Sequence, residues 1–403
     1  MTESSMTESS VTESSPRALE PLAYHRSVVD HLREEEPKIW AWGCSRQTRN
    51  EQVEEMRGLL LRETYRLDAT SHPEVHADCA EVMAGFGIEA PVTLYQAADG
   101  AMNAALCFVP GEIHLLFHGP VLEKLSREER IALLGHELAH YRLWSIEGGI
   151  YYTATTILDH ALAYPDAAPS HVETARVFRL HTELYADRGG AVAANTPEPA
   201  ISTLVKTMTG LTSVDPQAYL RQAAEAEKDA GASQGQTHPE IFLRAQALDK
   251  WWRADAELEP WIERRVRGPL SVAALDLPRQ HEASRITRGF LTRLAGDPAA
   301  DEEIVGNLIR RYFPDWTLGE AAIDDAALAG DRLDGSFRDY LVSLSLDVAM
   351  ADPDARDAML AAGARLAASY DGVEPFKAAL KRDLKFTKAA IDKVFASRKK
   401  ARS

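Results

Sequence analysis

The stretch whose reading decides the fold is SREERIALLGHELAHYRLWSIEGG, residues 126–149. It opens on Ser126-Arg127-Glu128-Glu129, the S-x-x-E form of a capping box, in which serine and glutamate side chains satisfy each other's free backbone amides. The apolar residues Ile131, Leu133, Leu134 and Leu138 follow directly, and Gly148-Gly149 supplies a stop. The segment therefore predicts a helix. On it His136 and His140 stand four residues apart and share one face, so two imidazoles can converge on one Zn²⁺ at about 2.0–2.1 Å each. Glu137 stands beside them, where a carboxylate can take a proton from a water at the metal.

A catalytic zinc site of this kind needs a third protein ligand. The metzincin solution would place Gly at position 143 and His at 146, where this chain has Leu143 and Ile146. A carboxylate from a second helix is the other solution. Pro169 followed by Ser170-His171-Val172-Glu173 reads as a second capping box, and Gly189-Gly190 as the close of its helix. Within that helix Glu183 and Asp187 are again four apart, so both carboxylates share a face. Glu183 is the candidate third ligand, leaving an open fourth position. Asp187 is the candidate partner for the free N–H of a ligand histidine, fixing its tautomer. A solvated acidic face is the ordinary alternative. Leu180 and Leu184 favour a packed helix, where unpaired carboxylates are costly.

Outward from these helices, residues 19 to 84 read as helical. A small sheet of three strands follows, at Ala90–Tyr95, Ala104–Val109 and Glu112–His118, with turns at Asp99-Gly100 and Pro110-Gly111. Beyond Gly119 nearly everything reads as helix, apart from a loop at Ala230–Gln236 just before His238-Pro239. The expected class is α+β, mainly α: a zincin-like catalytic domain with a small sheet beside the HExxH helix, then an all-helical domain. The expected division is a disordered, low-complexity tail over residues 1–18 carrying MTESS, MTESS and VTESS, a zinc metallopeptidase domain over 19–257, and a helical domain over 258–403. The last domain ends in a basic tail with Lys393, Arg398, Lys399, Lys400 and Arg402.

The 403 residues are 45% hydrophobic and 26% charged, the balance of a globular protein with a substantial core. A net charge of −16 argues against a nucleic-acid partner, because most of the surface would repel phosphate. Cys44, Cys79 and Cys107 lack C-x-x-C spacing, which disfavours both a disulfide framework and a thiolate zinc site. No basic-then-apolar leader is found and no window of about 18 apolar residues; Ile150 to Ala163 is interrupted by Asp159 and His160. A cytoplasmic location without an integral membrane segment is expected. Cys107 reads as a small buried hydrophobe, Trp251-Trp252 as packing, and His114 and His118 as strand residues. His72, His76, His160, His171 and His181 are given no role.

HELAH followed by ELYAD resembles the gluzincin peptidases that include the membrane protease HtpX and the CAAX prenyl endoproteases. The resemblance spans residues 50 to 250 or so. It implies one Zn²⁺ held by His136, His140 and Glu183, with Glu137 as the catalytic base. It also implies that Asn103-Ala104 belong to an active-site edge strand on which a substrate backbone pairs. By the same resemblance His238, in Thr237-His238-Pro239, steadies the oxyanion, and Arg244 supports the site. Familiar members carry membrane helices or a secretion signal. This chain resembles a soluble bacterial branch, so membrane-embedded or prenylated substrates do not carry over. Residues Asp347 to Leu384 resemble tellurite-resistance-type helical domains, with plain packing on the catalytic domain as the simpler reading. The expected activity is zinc-dependent endopeptidase action on protein or peptide. The alternative is a zinc-bound adaptor, silent or partner-activated, that meets a protein partner through its helical domain; the intact Glu137 counts against a purely structural site.

Overall fold

The computed structural model describes residues 18–46, 50–98, 100–229 and 241–400. The MTESS repeats, Asp99, the Ala230–Gln236 loop, His238 and Arg402 lie outside the described residues. Helices α1 (Ala23–Glu34), α2 (Pro37–Arg46), α3 (Asn50–Glu63) and α4 (Pro73–Phe86) make up most of the first 86 residues. The expected helical run is broken by strand β1 (Tyr65–Leu67). There Thr64 and Tyr65 favour extended backbone, and Asp68 turns the chain by accepting the Thr70 amide at 2.8 Å.

β1 makes the sheet four-stranded rather than three-stranded. It pairs antiparallel with β2 (Val92–Gln96), which runs parallel to β4 (Glu112–His118); β4 in turn pairs antiparallel with β3 (Asn103–Val109) across the Pro110-Gly111 turn. Gly111 takes φ 82° there, a left-handed conformation that glycine adopts without strain. The order β1-β2-β4-β3 leaves β3 at the edge, with one row of backbone groups free of strand pairing.

After α5 (Val121–Lys124) comes α6 (Arg127–Ser145), the helix of the opening stretch. Its capping box forms: Ser126 Oγ accepts the Glu129 amide at 3.3 Å, and Glu129 Oε2 accepts the Ser126 amide at 2.8 Å. Glu129 is buried and also receives Lys206 Nζ at 2.7 Å and Ser202 Oγ at 2.5 Å, which ties the start of α6 to α9 (Glu198–Thr209). α6 ends at Ser145, before its glycines. Glu147, Gly148 and Gly149, all at positive φ, then swing the chain into α7 (Ile150–Leu162).

α8 (Pro169–Ala193) departs from the expected pattern at both ends. It starts with Pro169 at its first turn after Ala168, with no serine cap, and it runs straight through Gly189-Gly190. These glycines serve packing instead. A Cβ on Gly189 would lie 2.3 Å from Ala139 Cβ and 2.8 Å from the Gly135 carbonyl oxygen. On Gly135 it would meet Ala193 Cβ at 2.5 Å. Only hydrogen at these positions lets α6 and α8 lie this close.

One apolar cluster joins the inner sheet face (Leu94, Ile113, Phe117) to Leu134, Leu138 and Phe178. α10 (Pro216–Asp229), α11 (Ile241–Trp252) and α12 (Leu258–Val266) follow α9, and Leu258, Trp261, Ile262 and Val266 belong to this same cluster. A second cluster draws on α13 (Leu277–Ala295), α14 (Glu302–Tyr312), α15 (Gly335–Ala351), α16 (Arg356–Leu366), α17 (Val373–Arg382), α18 (Lys388–Lys400) and the segments around them, from Leu270 on, with Phe290, Trp316, Phe337 and Phe376 at its centre. The two meet at Asp276, which caps α13 and accepts Arg267 Nε at 2.9 Å and Tyr24 Oη at 3.2 Å. Among the described residues no helix is long and apolar enough to cross a membrane.

His181, buried against Tyr24 in a stacked pair 4.5 Å apart, is a core histidine. Burial pushes its pKa down to about 4, so between there and the ordinary 6.5 the unfolded chain binds a proton that the folded chain does not. Its stabilising contribution is complete above pH 6.5 and is lost as pH falls through that window, by about 1.4 kcal/mol per pH unit. Denaturant unfolding of a His181→Asn variant should show a shallower loss between pH 6.5 and 4; an unchanged slope would show that His181 titrates alike in both states. Gly189→Ala should cost about 2–3 kcal/mol in urea unfolding through the clash with α6. A cost below about 0.5 kcal/mol would mean that the helices part freely.

Candidate metal centre

The approach of α6 to α8 brings together residues distant in sequence. His136 Nε2 and His140 Nε2 lie 3.3 Å apart. Glu183 Oε2 is 3.6 Å from the first, and Glu183 Oε1 is 3.8 Å from the second. Among the described residues this is the one group of three or more His, Cys, Asp or Glu whose ligand atoms all fall within 4.8 Å of one another. Tetrahedral coordination at about 2.0–2.1 Å sets ligand atoms roughly 3.3–3.4 Å apart, so the three donors need only small rotations to accept such an ion. Two imidazoles and one carboxylate are also the donor set that zinc favours.

Asp187, one turn on from Glu183, is buried and faces His136, its Oδ1 3.1 Å from His136 Nδ1. With the proton on Nδ1, His136 presents Nε2 as a lone pair. Arg244 of α11 fastens both carboxylates. Its Nε and Nη2 donate to Asp187 Oδ2 and Oδ1 at 2.7 and 2.6 Å, and Nη1 lies 2.9 Å from Glu183 Oε2.

These contacts set the charges. Burial disfavours ionised Asp187 and Glu183, but Arg244 together with the nearby histidines outweighs it and holds both carboxyls below their usual range. Burial likewise works against protonated His136, and Asp187 outweighs it, raising that imidazole. His140 has no such partner, and burial takes it down to about 4, leaving it neutral and able to coordinate. Glu137, 6% exposed, is raised chiefly by burial, then by the Glu183 charge against the opposing pull of His136. A carboxylate so raised is a stronger base than an exposed glutamate.

Glu137 lies beside β3, where the nearby Leu106 backbone amide works against the effect of burial on its carboxyl. Asn103, Ala104, Ala105 and Leu106 line the same cleft of about 510 Å³ as the three candidate ligands. The far wall carries Leu204, Thr203 and Thr207 of α9. Cys107 is a partly buried thiol whose pKa burial raises, with Glu137 adding to the effect. His114 stays in the sheet, bonded to Tyr95 and Glu112. Trp251 packs beneath the Arg188 guanidinium at 5.3 Å.

Of the residues singled out from sequence, His136, Glu137, His140, Glu183, Asp187, Arg244, Asn103 and Ala104 therefore surround one cleft. His238 lies outside the described residues. Sequence reasoning passed over the α9 wall, which carries no local signal. It also passed over Trp144, whose ring stacks on His140 at 5.4 Å and whose spacing of four from His140 was readable.

The chain is similar to the plastoglobule-localized metallopeptidase 48, chloroplastic, of Arabidopsis thaliana. The two are 28% identical over 201 residues, covering 45% of this chain and 57% of that protein. The chain thus spans little more than half the length of this curated relative. No family model matches the chain, and no solved structure matches it. The similarity supports a metallopeptidase relationship, and the His136-His140-Glu183 group is a place where a metal could be held.

Replacing Arg244 by Met should leave Asp187 as uncompensated buried charge beside the half-buried Glu183, at a cost of about 3–5 kcal/mol in denaturant unfolding of the metal-free protein. A loss under about 1 kcal/mol would mean that the carboxylates are neutralised some other way.

Proposed function

We propose that this chain is a zinc-dependent endopeptidase of the gluzincin type represented by HtpX and the CAAX prenyl endoproteases, with protein or peptide substrates. The observation that carries the proposal is the convergence of His136, His140 and Glu183 beside a buried Glu137 that faces an unpaired strand edge. The metallopeptidase similarity of part of the chain supports it.

In this reading His136, His140 and Glu183 hold one zinc ion. Bound there, zinc would supply Lewis acidity, making a water more acidic and polarising the scissile carbonyl. Glu137 accepts the water proton and passes it to the leaving amine; burial raises its pKa, which makes it a stronger base than an exposed glutamate. Asp187 keeps the His136 proton on Nδ1, and Arg244 keeps Asp187 and Glu183 ionised. The substrate backbone pairs along β3 from Asn103 and Ala104, which sets its carbonyl against the site. His238 is assigned to oxyanion stabilisation on the resemblance of its motif alone.

Metal analysis of purified variants tests the assignment. Glu137→Gln should retain one zinc per chain and lose peptide cleavage by a factor of at least about 10². Glu183→Ala should lose the zinc. A full zinc load in Glu183→Ala would overturn the ligand set, and wild-type cleavage by Glu137→Gln would overturn the base.

A further inference from the structure

The two histidines of the centre are steadied by different physical means. His136 has Asp187 at its Nδ1. His140 Nδ1 is buried and has no hydrogen-bond partner among the described residues. What covers the His140 ring is Trp144, one helical turn on, with ring centroids 5.4 Å apart and planes 28° from parallel. The Trp144 indole N–H likewise finds no acceptor among the described residues, so other rings fix the indole. Phe108 of β3 meets it edge-on at 5.5 Å, and Tyr152 of α7 lies 6.0 Å away. Phe108 and Tyr152 themselves pack at 4.5 Å, closing a three-ring cluster behind the imidazole. Trp144 also lines the cleft.

We infer that Trp144 is a positioning residue for the metal centre: it fixes the plane of the His140 ring by stacking, in the role that the Asp187 hydrogen bond plays for His136. This inference rests on the zinc reading above. A ligand imidazole must hold its nitrogen lone pair along the bond to the ion, and rotation about its side-chain torsions spoils that alignment. Stacking restrains tilt of the ring where no acceptor among the described residues restrains it. Because Phe108 belongs to the edge strand, the same cluster mechanically joins β3 to a metal ligand.

The test uses the full chain with zinc as the probe. Trp144→Phe keeps a ring and Trp144→Leu keeps bulk alone; thermal unfolding without metal establishes that both are folded. Chelator competition should give zinc affinity close to wild type for Trp144→Phe. For Trp144→Leu, affinity should fall about 10–100-fold, the range associated with lost partners of metal-ligating residues. Zinc addition should also change tryptophan emission in the wild type, and Trp144→Phe should abolish that change while leaving the other six of the seven tryptophans in place. Wild-type zinc affinity in a folded Trp144→Leu variant would overturn the inference while leaving the metal centre intact. A wild-type chain that takes up no zinc would instead overturn the zinc reading itself.

Discussion

The arrangement of the cleft depends on how closely α6 can lie against α8. At Gly135, Gly189 and Gly190 the helices meet with no side chain between them, and an added Cβ would strike backbone or a neighbouring Cβ. Side chains elsewhere on the two helices are thereby held at short range. His136 and His140 project from one helix, Glu183 and Asp187 from the other, and their polar atoms meet at 3.1–3.8 Å. A larger residue at the contact would widen this spacing by more than a metal–ligand bond tolerates.

Closeness brings an electrostatic burden, which Arg244 relieves. Two carboxylates on one helical face, both turned inward, would repel each other and shed their charge by binding protons. The Arg244 guanidinium contacts both, because its planar fork can engage Asp187 with two nitrogens while the third reaches Glu183. A lysine would offer a single nitrogen in place of these three.

Much of the centre was legible in the sequence because it is written at helical spacing. His136 and His140, and Glu183 and Asp187, are each four apart, and the S-x-x-E start of α6 forms as its pattern requires. Gly-Gly was the ambiguous signal. At 148–149 it lies in the left-handed turn that separates two helices, whereas at 189–190 it continues a helix and makes room for another. A dipeptide alone does not carry the distinction, since it depends on what packs against it. Tyr65–Leu67 was hidden for a related reason: three residues are too few to display alternation, and their extended state is stabilised by pairing with β2. The α9 wall and the Phe108–Trp144–Tyr152 cluster join segments far apart in the chain, and no local pattern announces such meetings.

Under the proposed peptidase reading, the free edge of β3 has a consequence for how cleavage points are chosen. Backbone groups along a strand alternate in direction, so every second residue of β3 offers its amide and carbonyl outward. A peptide pairing there keeps its hydrogen bonds when it slides by two residues and loses them when it slides by one. Selection among neighbouring peptide bonds would then be a matter of phase: bonds an even number of residues apart compete for the same placement, and those between them are excluded by the geometry of the strand before any side chain is read.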